Sequence, residues 1–280
     1  MMNRNLSIRT LMLTAILLLG GITGGCARYS TTARPDFMEM GAEGILQYAS
    51  DQAGSLSSLL SSGTLQIRFQ RGGLSARCAI LYVQPDSIRL DVSAALGTTL
   101  LQAVMAGPYI QAYVPLEKTV VSGTMVPGEV FEFGGIPLEL DSLKQLVLGP
   151  ALAFNWVDLA ASIDQLDIGP NQILVGIPRP GGFRLLLTLD THLQYQKEVL
   201  IDPRGRVLLE IYFSDYDRVS GVLLPGKVRL VYPDSFLELT FEASRQKVDS
   251  PHSAGDFVLD IPAGVRHLPL VPPPGSFTQR

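Results

Sequence analysis

The 280-residue chain is poor in the side chains that carry most enzyme chemistry: it has two cysteines, three histidines and one tryptophan. Two cysteines cannot build a disulfide framework. His192, His252 and His267 are dispersed in turn-like or terminal settings, so no zinc or Cys-His site is expected. Neither G-x-S-x-G nor H-E-x-x-H occurs. Gly221 to Lys227 (GVLLPGK) has the spacing of a phosphate-binding loop, but Val228 stands where a magnesium-binding Ser or Thr is needed and a strand pattern follows, so the segment reads as a turn. Ser244 to Lys247 fits S-x-x-K without its companion motifs. Asp215 with Asp217, and Glu129 with Glu132, are spaced as solvated surface pairs. No catalytic residue, metal or cofactor is expected, and the chain reads as a non-enzyme.

Charge is also scarce, with charged residues at 17% and a net charge of −4. A protein that grips nucleic acid or an anionic lipid surface needs a basic footprint, and none is present. The hydrophobic fraction of 46% excludes disorder as the general state and calls for a large core or an apolar cavity.

What is present begins with a basic leader. Arg4 and Arg9 precede an apolar run, Leu11 to Leu19, which breaks into Gly20 and Gly21 and then Thr23, Gly24, Gly25 before Cys26. A bilayer span needs about 20 apolar residues, so this stretch reads as a cleavable export signal over residues 1–25. The small residues before Cys26 resemble a lipobox, with Thr23 in the place of the usual leucine; an ordinary secreted protein and an uncleaved anchor are the weaker alternatives. The resemblance implies lipidation of Cys26, and several acyl chains on one terminus anchor durably because each buried methylene adds about 0.8 kcal/mol. Ala27 rather than Asp after the cysteine implies, by likeness to enterobacterial sorting, the outer membrane. Without the two leader arginines the net charge becomes −6. Cys78 then has no intramolecular partner and reads as a small buried hydrophobe within the alternating stretch Ala76, Cys78, Ile80, Tyr82.

Residues 26–39 form a short polar tether. From Met40 to about Ser61, apolar residues recur every three or four positions (Leu46, Ala49, Ala53, Leu56, Leu59, Leu60), which predicts one amphipathic helix. Period-two runs follow: Leu65, Ile67 and Phe69; Ala76 to Tyr82; Ile88, Leu90 and Val92; Ile110 to Val114; and Thr119 to Thr124. Pro137 to Gly149 suggests a short helix, and Trp156 to Leu166 a helical or loop element. Strands resume at Gln172 to Ile177 and Phe183 to Leu189. Leu193, Tyr195, Val199 and Ile201 read as one face of the next strand, which meets a hairpin turn at Asp202 to Gly205. Val207, Leu209, Ile211 and Phe213, then Lys227 to Tyr232, and then Leu237, Leu239 and Phe241 complete the pattern, before a Pro-rich tail that reads as irregular. The fold expected is mainly β with a few helices (α+β): one strongly curved antiparallel sheet of about ten strands, an unclosed β-barrel covered by helices.

This order of elements resembles the Lol-type (LolA/LolB-like) lipoprotein-localisation family. The likeness is carried by the leading helix, IRFQ, IRLDVSAALG, PLELDSLKQLVLG, the run VSGVLLPGKVRLVYPDSFLELTFEASRQKV and the closing FVLDIPAG. It covers about residues 40–265, leaving 266–280 as a tail. The resemblance implies an apolar cavity for lipid or lipoprotein acyl chains, in a protein of the envelope facing the periplasm. The residues that line it on the alternation pattern are Leu65, Ile67, Phe69, Ile80, Tyr82, Leu90, Val92, Leu209, Ile211, Phe213, Leu239 and Phe241. Expected partners are the membrane through the anchor, acyl chains or lipoproteins, and envelope proteins. A non-catalytic scaffold lipoprotein of an envelope assembly is the alternative.

Overall fold

The computed structural model describes residues 40–124, 130–133, 136–139, 144–145, 148–149 and 162–270; the leader, Cys26, the tether, Glu129 and Trp156 lie outside them. Helix α1 (Ala42–Ala53) leads into β1 (Ser58–Phe69). The expected helix over residues 40–61 is therefore corrected at its end. Gly54, at φ 88°, terminates the helix, and Leu59 and Leu60 belong to the strand. The apolar spacing ran on because an inward-facing Leu59 satisfies both periods.

A meander follows: β2 (Gly72–Val83), β3 (Ser87–Ser93), β4 (Thr99–Ala106), β5 (Tyr109–Val114) and β6 (Thr119–Thr124). A separate hairpin, β7 (Val130–Phe133) and β8 (Ile136–Glu139), comes next. Leu138, expected in a helix, is thus in a strand, whereas Lys144, Gln145 and Leu148 are helical. The chain resumes with β9 (Gln165–Ile168), β10 (Gln172–Pro178), β11 (Arg184–Asp190), β12 (Tyr195–Ile201) and β13 (Val207–Ser214). A small hairpin, β14 (Asp217–Val219) and β15 (Val222–Leu224), leaves the sheet before β16 (Lys227–Tyr232) and β17 (Leu237–Val248). The last strand among the described residues is β18 (Arg266–Pro269).

Fourteen of these strands form one sheet, in the order β18-β6-β5-β4-β3-β2-β1-β17-β16-β13-β12-β11-β10-β9. It is curved and not closed into a barrel. Every pairing is antiparallel except that of β18 with β6. The irregular tail is accordingly corrected at its start: residues 266–269 are a strand, drawn into the sheet because Arg266 N donates to Lys118 O at 2.8 Å and Leu270 N to Ser122 O at 2.7 Å.

The two halves join at β1 and β17, twelve residues each, with a bulge between Ser62 and Gly63. Gly63 is required there, because a Cβ would lie 2.0 Å from Glu242 O. The hairpin expected at Asp202 to Gly205 is present. Asp202 Oδ1 accepts from Arg204 N at 2.8 Å and Arg206 N at 2.9 Å, and Gly205 takes φ 80°.

One face of the sheet, the inner one, carries two apolar clusters. The first spans β10 to β13, β16 and β17, around Val175, Leu187, Ile211 and Leu230, with Ile45, Leu46 and Ala49 of α1 packed on it. The second spans β1 to β4 and β17, around Leu65, Ile80, Met105 and Phe241, and takes Val222 and Leu224 of the small hairpin together with Leu56 and Leu148. On the outer face, Leu259, Ile261 and Val265 strap over Val104, Tyr113 and Val120. Arg89 Nη1 ties this strap down by donating to Asp256 O at 2.7 Å. Elsewhere the outer face is polar, with Lys197 and Glu210 2.6 Å apart, Lys227 and Glu242 2.7 Å apart, and Arg229 stacked over Tyr212 at 4.4 Å.

Candidate functional site

The candidate site is the inner face under its cover. Strand alternation aims every second side chain inward, and the sheet's curvature gathers them. Leu65, Ile80, Tyr82, Val92 and Phe241 lie in the second cluster, and Leu209, Ile211, Phe213 and Leu239 in the first. Ile67 packs against both clusters and Leu90 against the second. Phe69 is apart from them: it stands at the end of β1, 49% exposed. The structure thus brings eleven of the twelve alternation-pattern residues onto two adjoining apolar surfaces.

The cover is small. Helix α1 has Gly41 at its N-cap with no side-chain cap bond and no basic residue in its last turn, so packing of its apolar face holds it in place. The hairpin β14–β15 has three residues per strand and is rooted by Gly226 N donating to Asp215 O at 3.0 Å. The two pieces meet where Gly54 lies against Gly221 and Val222, close enough that a Cβ on Gly54 would sit 3.4 Å from Gly221 O. Beside the hairpin, a cleft of about 510 Å³ is lined by Asp215, Asp217, Glu242, Ser244, Arg245 and Gln246 among others. The segment Gly221 to Lys227, expected as a turn, is corrected: Gly221 turns the hairpin, but Val222–Leu224 are β15 and Lys227 opens β16, where it engages Glu242.

Polar groups on the inner face were not legible in the sequence. Glu198, nearly fully buried, pairs in register with Leu187 and Ile211, both of the inner core. A bulge between Thr188 and Leu189 shifts the phase of β12, so Glu198 and Leu200 face inward, where alternation assigned Val199 and Ile201. Tyr216 donates to Tyr195 O at 2.9 Å, and burial, with Asp190 adding, holds its phenol far above its ordinary range. Tyr82 donates to Pro85 O at 3.0 Å, and burial, helped by Asp86, pushes its pKa up to about 12. Cys78 is buried as expected, and burial with the Asp91 charge pushes its thiol up to about 12, so it is an inert core residue at neutral pH. No group of three or more metal-ligating side chains occurs among the described residues.

No protein-family model and no curated protein matches this sequence. Solved structures do match. A DUF1329 family protein from Desulfovibrio piger superposes with a TM-score of 0.56 at 13% identity, over 76% of this chain and 94% of that one. A LolA superfamily protein from Nitrosomonas europaea matches with a TM-score of 0.52 at 13% identity, over 79% of this chain and 99% of that one. The chain has the LolA fold. A Vibrio parahaemolyticus domain named for outer membrane lipoprotein sorting shares this fold, with a TM-score of 0.50 at 13% identity over 77% of this chain and 95% of that one. In LolA-fold terms the present chain has an open sheet whose inner face is covered by α1 and by the β14–β15 hairpin.

Proposed function

We propose that this protein is an envelope lipoprotein, anchored in the outer membrane through Cys26, that binds the acyl chains of lipids or lipoproteins against the inner face of its sheet. The observation that carries this reading is the pairing of a continuous apolar surface, formed by two adjoining clusters, with a cover that, among the described residues, includes one short helix and one short hairpin. Acyl binding needs apolar area rather than directional bonds, at about 25 cal/mol per Å² buried. A chain that displaces the cover replaces the contacts of Ile45, Leu46, Val222 and Leu224 with its own methylenes, so opening and binding nearly balance. The LolA fold and the lipoprotein-sorting name of one structural neighbour support the same direction. Binding of this kind requires no catalytic group.

Native mass spectrometry of the anchored protein, released from detergent, tests the reading. Adducts of acyl mass are expected beyond the anchor itself, and a chain that stays adduct-free after incubation with palmitate overturns it. Palmitate labelling that survives Cys26→Ser overturns the anchor.

A further inference from the structure

Large apolar side chains that the fold leaves exposed gather at one end of the sheet. Antiparallel pairing sends successive connections to alternate ends, so the turns that follow β1, β3, β5, β12 and β16 lie together. Four neighbouring turns of this set are tipped by apolar residues. Phe69 and Leu74 flank the β1–β2 turn, Leu96 (97% exposed) stands between β3 and β4, Leu116 (76%) between β5 and β6, and Phe236 (64%) between β16 and β17. The turns at the opposite end expose one large apolar side chain among the described residues, Tyr109. Phe69, which alternation assigned to the inner face, belongs to this rim instead. Packing does not account for the tips. Phe236 holds φ 52°, a left-handed conformation unfavourable for a bulky side chain, and stays mostly in solvent.

The same turns carry Arg71, Lys118, Arg204 and Arg206, all exposed, against exposed Glu117 and Asp234 and buried Asp202, which Arg206 engages. Net charge gave no basic footprint. That expectation is corrected by topology, which collects basic residues from remote turns at one end of an acidic chain. The apolar tips are separate, because turns two strands apart stand about 10 Å from each other. A protein interface needs a packed apolar core, whereas a bilayer receives each tip on its own. We infer that this rim inserts its apolar tips into a bilayer containing anionic lipid, with Arg71, Lys118 and Arg204 toward the lipid phosphates, and so fixes which end of the domain meets the membrane. The tether alone does not fix it. Residues 26–39 reach about 50 Å when extended, more than the roughly 40 Å of the twelve-residue β1, so either end of the domain can turn to the membrane. The inference rests on the Cys26 anchor to bring the domain to the bilayer and is independent of acyl binding.

The test places the anchored chain in vesicles of phosphatidylcholine, alone or with about a third phosphatidylglycerol. An environment-sensitive fluorophore is attached at Leu96→Cys, at Phe236→Cys or, as the opposite-end control, at Tyr109→Cys; Cys78 is buried and stays unlabelled. With phosphatidylglycerol present, the Leu96→Cys and Phe236→Cys labels are expected to shift to the blue and to be quenched by nitroxide-bearing lipids, while the Tyr109→Cys label reports water. Arg71→Glu combined with Arg204→Glu is expected to lower the inserted fraction about tenfold or more, and raised salt to lower it as well. All these side chains are exposed, so melting temperatures are expected to match the wild type. Rim labels that report water on a chain that floats with the vesicles overturn the rim and leave the anchor standing. Equal insertion into the two kinds of vesicle overturns the selection of anionic lipid. A chain that does not float overturns the anchor and the rim with it.

Discussion

Individual carboxylates fix the corners of the sheet, and their protonation sets how the fold responds to acid. Asp249 Oδ1 accepts from Ser57 N at 2.9 Å and Ser57 Oγ at 2.8 Å, joining the end of β17 to the start of β1. These bonds, the backbone one foremost, hold its pKa below the ordinary carboxylate value. Asp202 is lowered in the same sense, first by the Arg206 backbone N–H and then by its guanidinium, and Glu210 by Lys197. A depressed folded pKa contributes stability above the unfolded value near 4 and loses it as pH falls through the folded value. The urea midpoint is therefore expected to be flat from pH 7 to about 5 and to fall steeply below about pH 4, with a shallower acid limb for Asp249→Asn than for wild type. A midpoint independent of pH down to 3 contradicts this account of the corners. These residues show how local chemistry is legible in sequence: Asp-Pro-Arg-Gly at residues 202–205 announced its turn through side-chain chemistry alone. Glu198 carried no such signal, because its burial is set by strands that pair with β12 from elsewhere in the chain.

The described elements divide into a sheet and the pieces that cover its inner face. Alternation placed the strands well because apolar residues on one face leave a period of two that survives in each segment. It failed where a bulge shifted phase, at Glu198 on β12, and where a helix handed over to a strand, at Leu59. It also missed β18, whose four residues are all exposed and so carry no burial pattern. Helix α1, as part of the cover, has a consequence for uptake. Gly44 is interior to α1, and a Cβ there would meet only Met40 at 3.6 Å, an ordinary contact. Gly44→Ala is expected to stabilise the helix by about 0.5–1 kcal/mol and to lower its open population about two- to fivefold. Hydrogen exchange of α1 amides is expected to slow, and acyl association with it, while exchange in β1 and β17 stays unchanged. Slower helix exchange with an unaltered association rate shows that α1 is not the gate.

At the scale of the whole molecule, the chain manages one very long open sheet by closing its β6 edge with its own C-terminal segment. The strap over Val104, Tyr113 and Val120 ends in β18, and Gly123 allows its close approach, since a Cβ there would lie 2.6 Å from Leu270 Cβ. Gly123→Val is expected to dislodge residues 266–270, seen as faster exchange of the β6 amides and a rise in self-association, with α1 unaffected. Unchanged exchange in β6 contradicts the strap's role. The general plan of a curved open sheet with an apolar inside was legible in the sequence. The strap and the hairpin cover were not, because both depend on contacts between segments remote along the chain. Acyl binding on the inner face is decided by where the acyl chain sits. A palmitate carrying a diazirine near its tail, photolysed with the protein and mapped by peptide mass spectrometry, measures that directly. Labels are expected on inner-face residues of the two clusters, such as Leu65, Ile80, Ile211 and Phe241, and on the cover at Leu46 or Val222. Labelling confined to the outer face, or none above a wild-type control saturated with unlabelled palmitate, contradicts it.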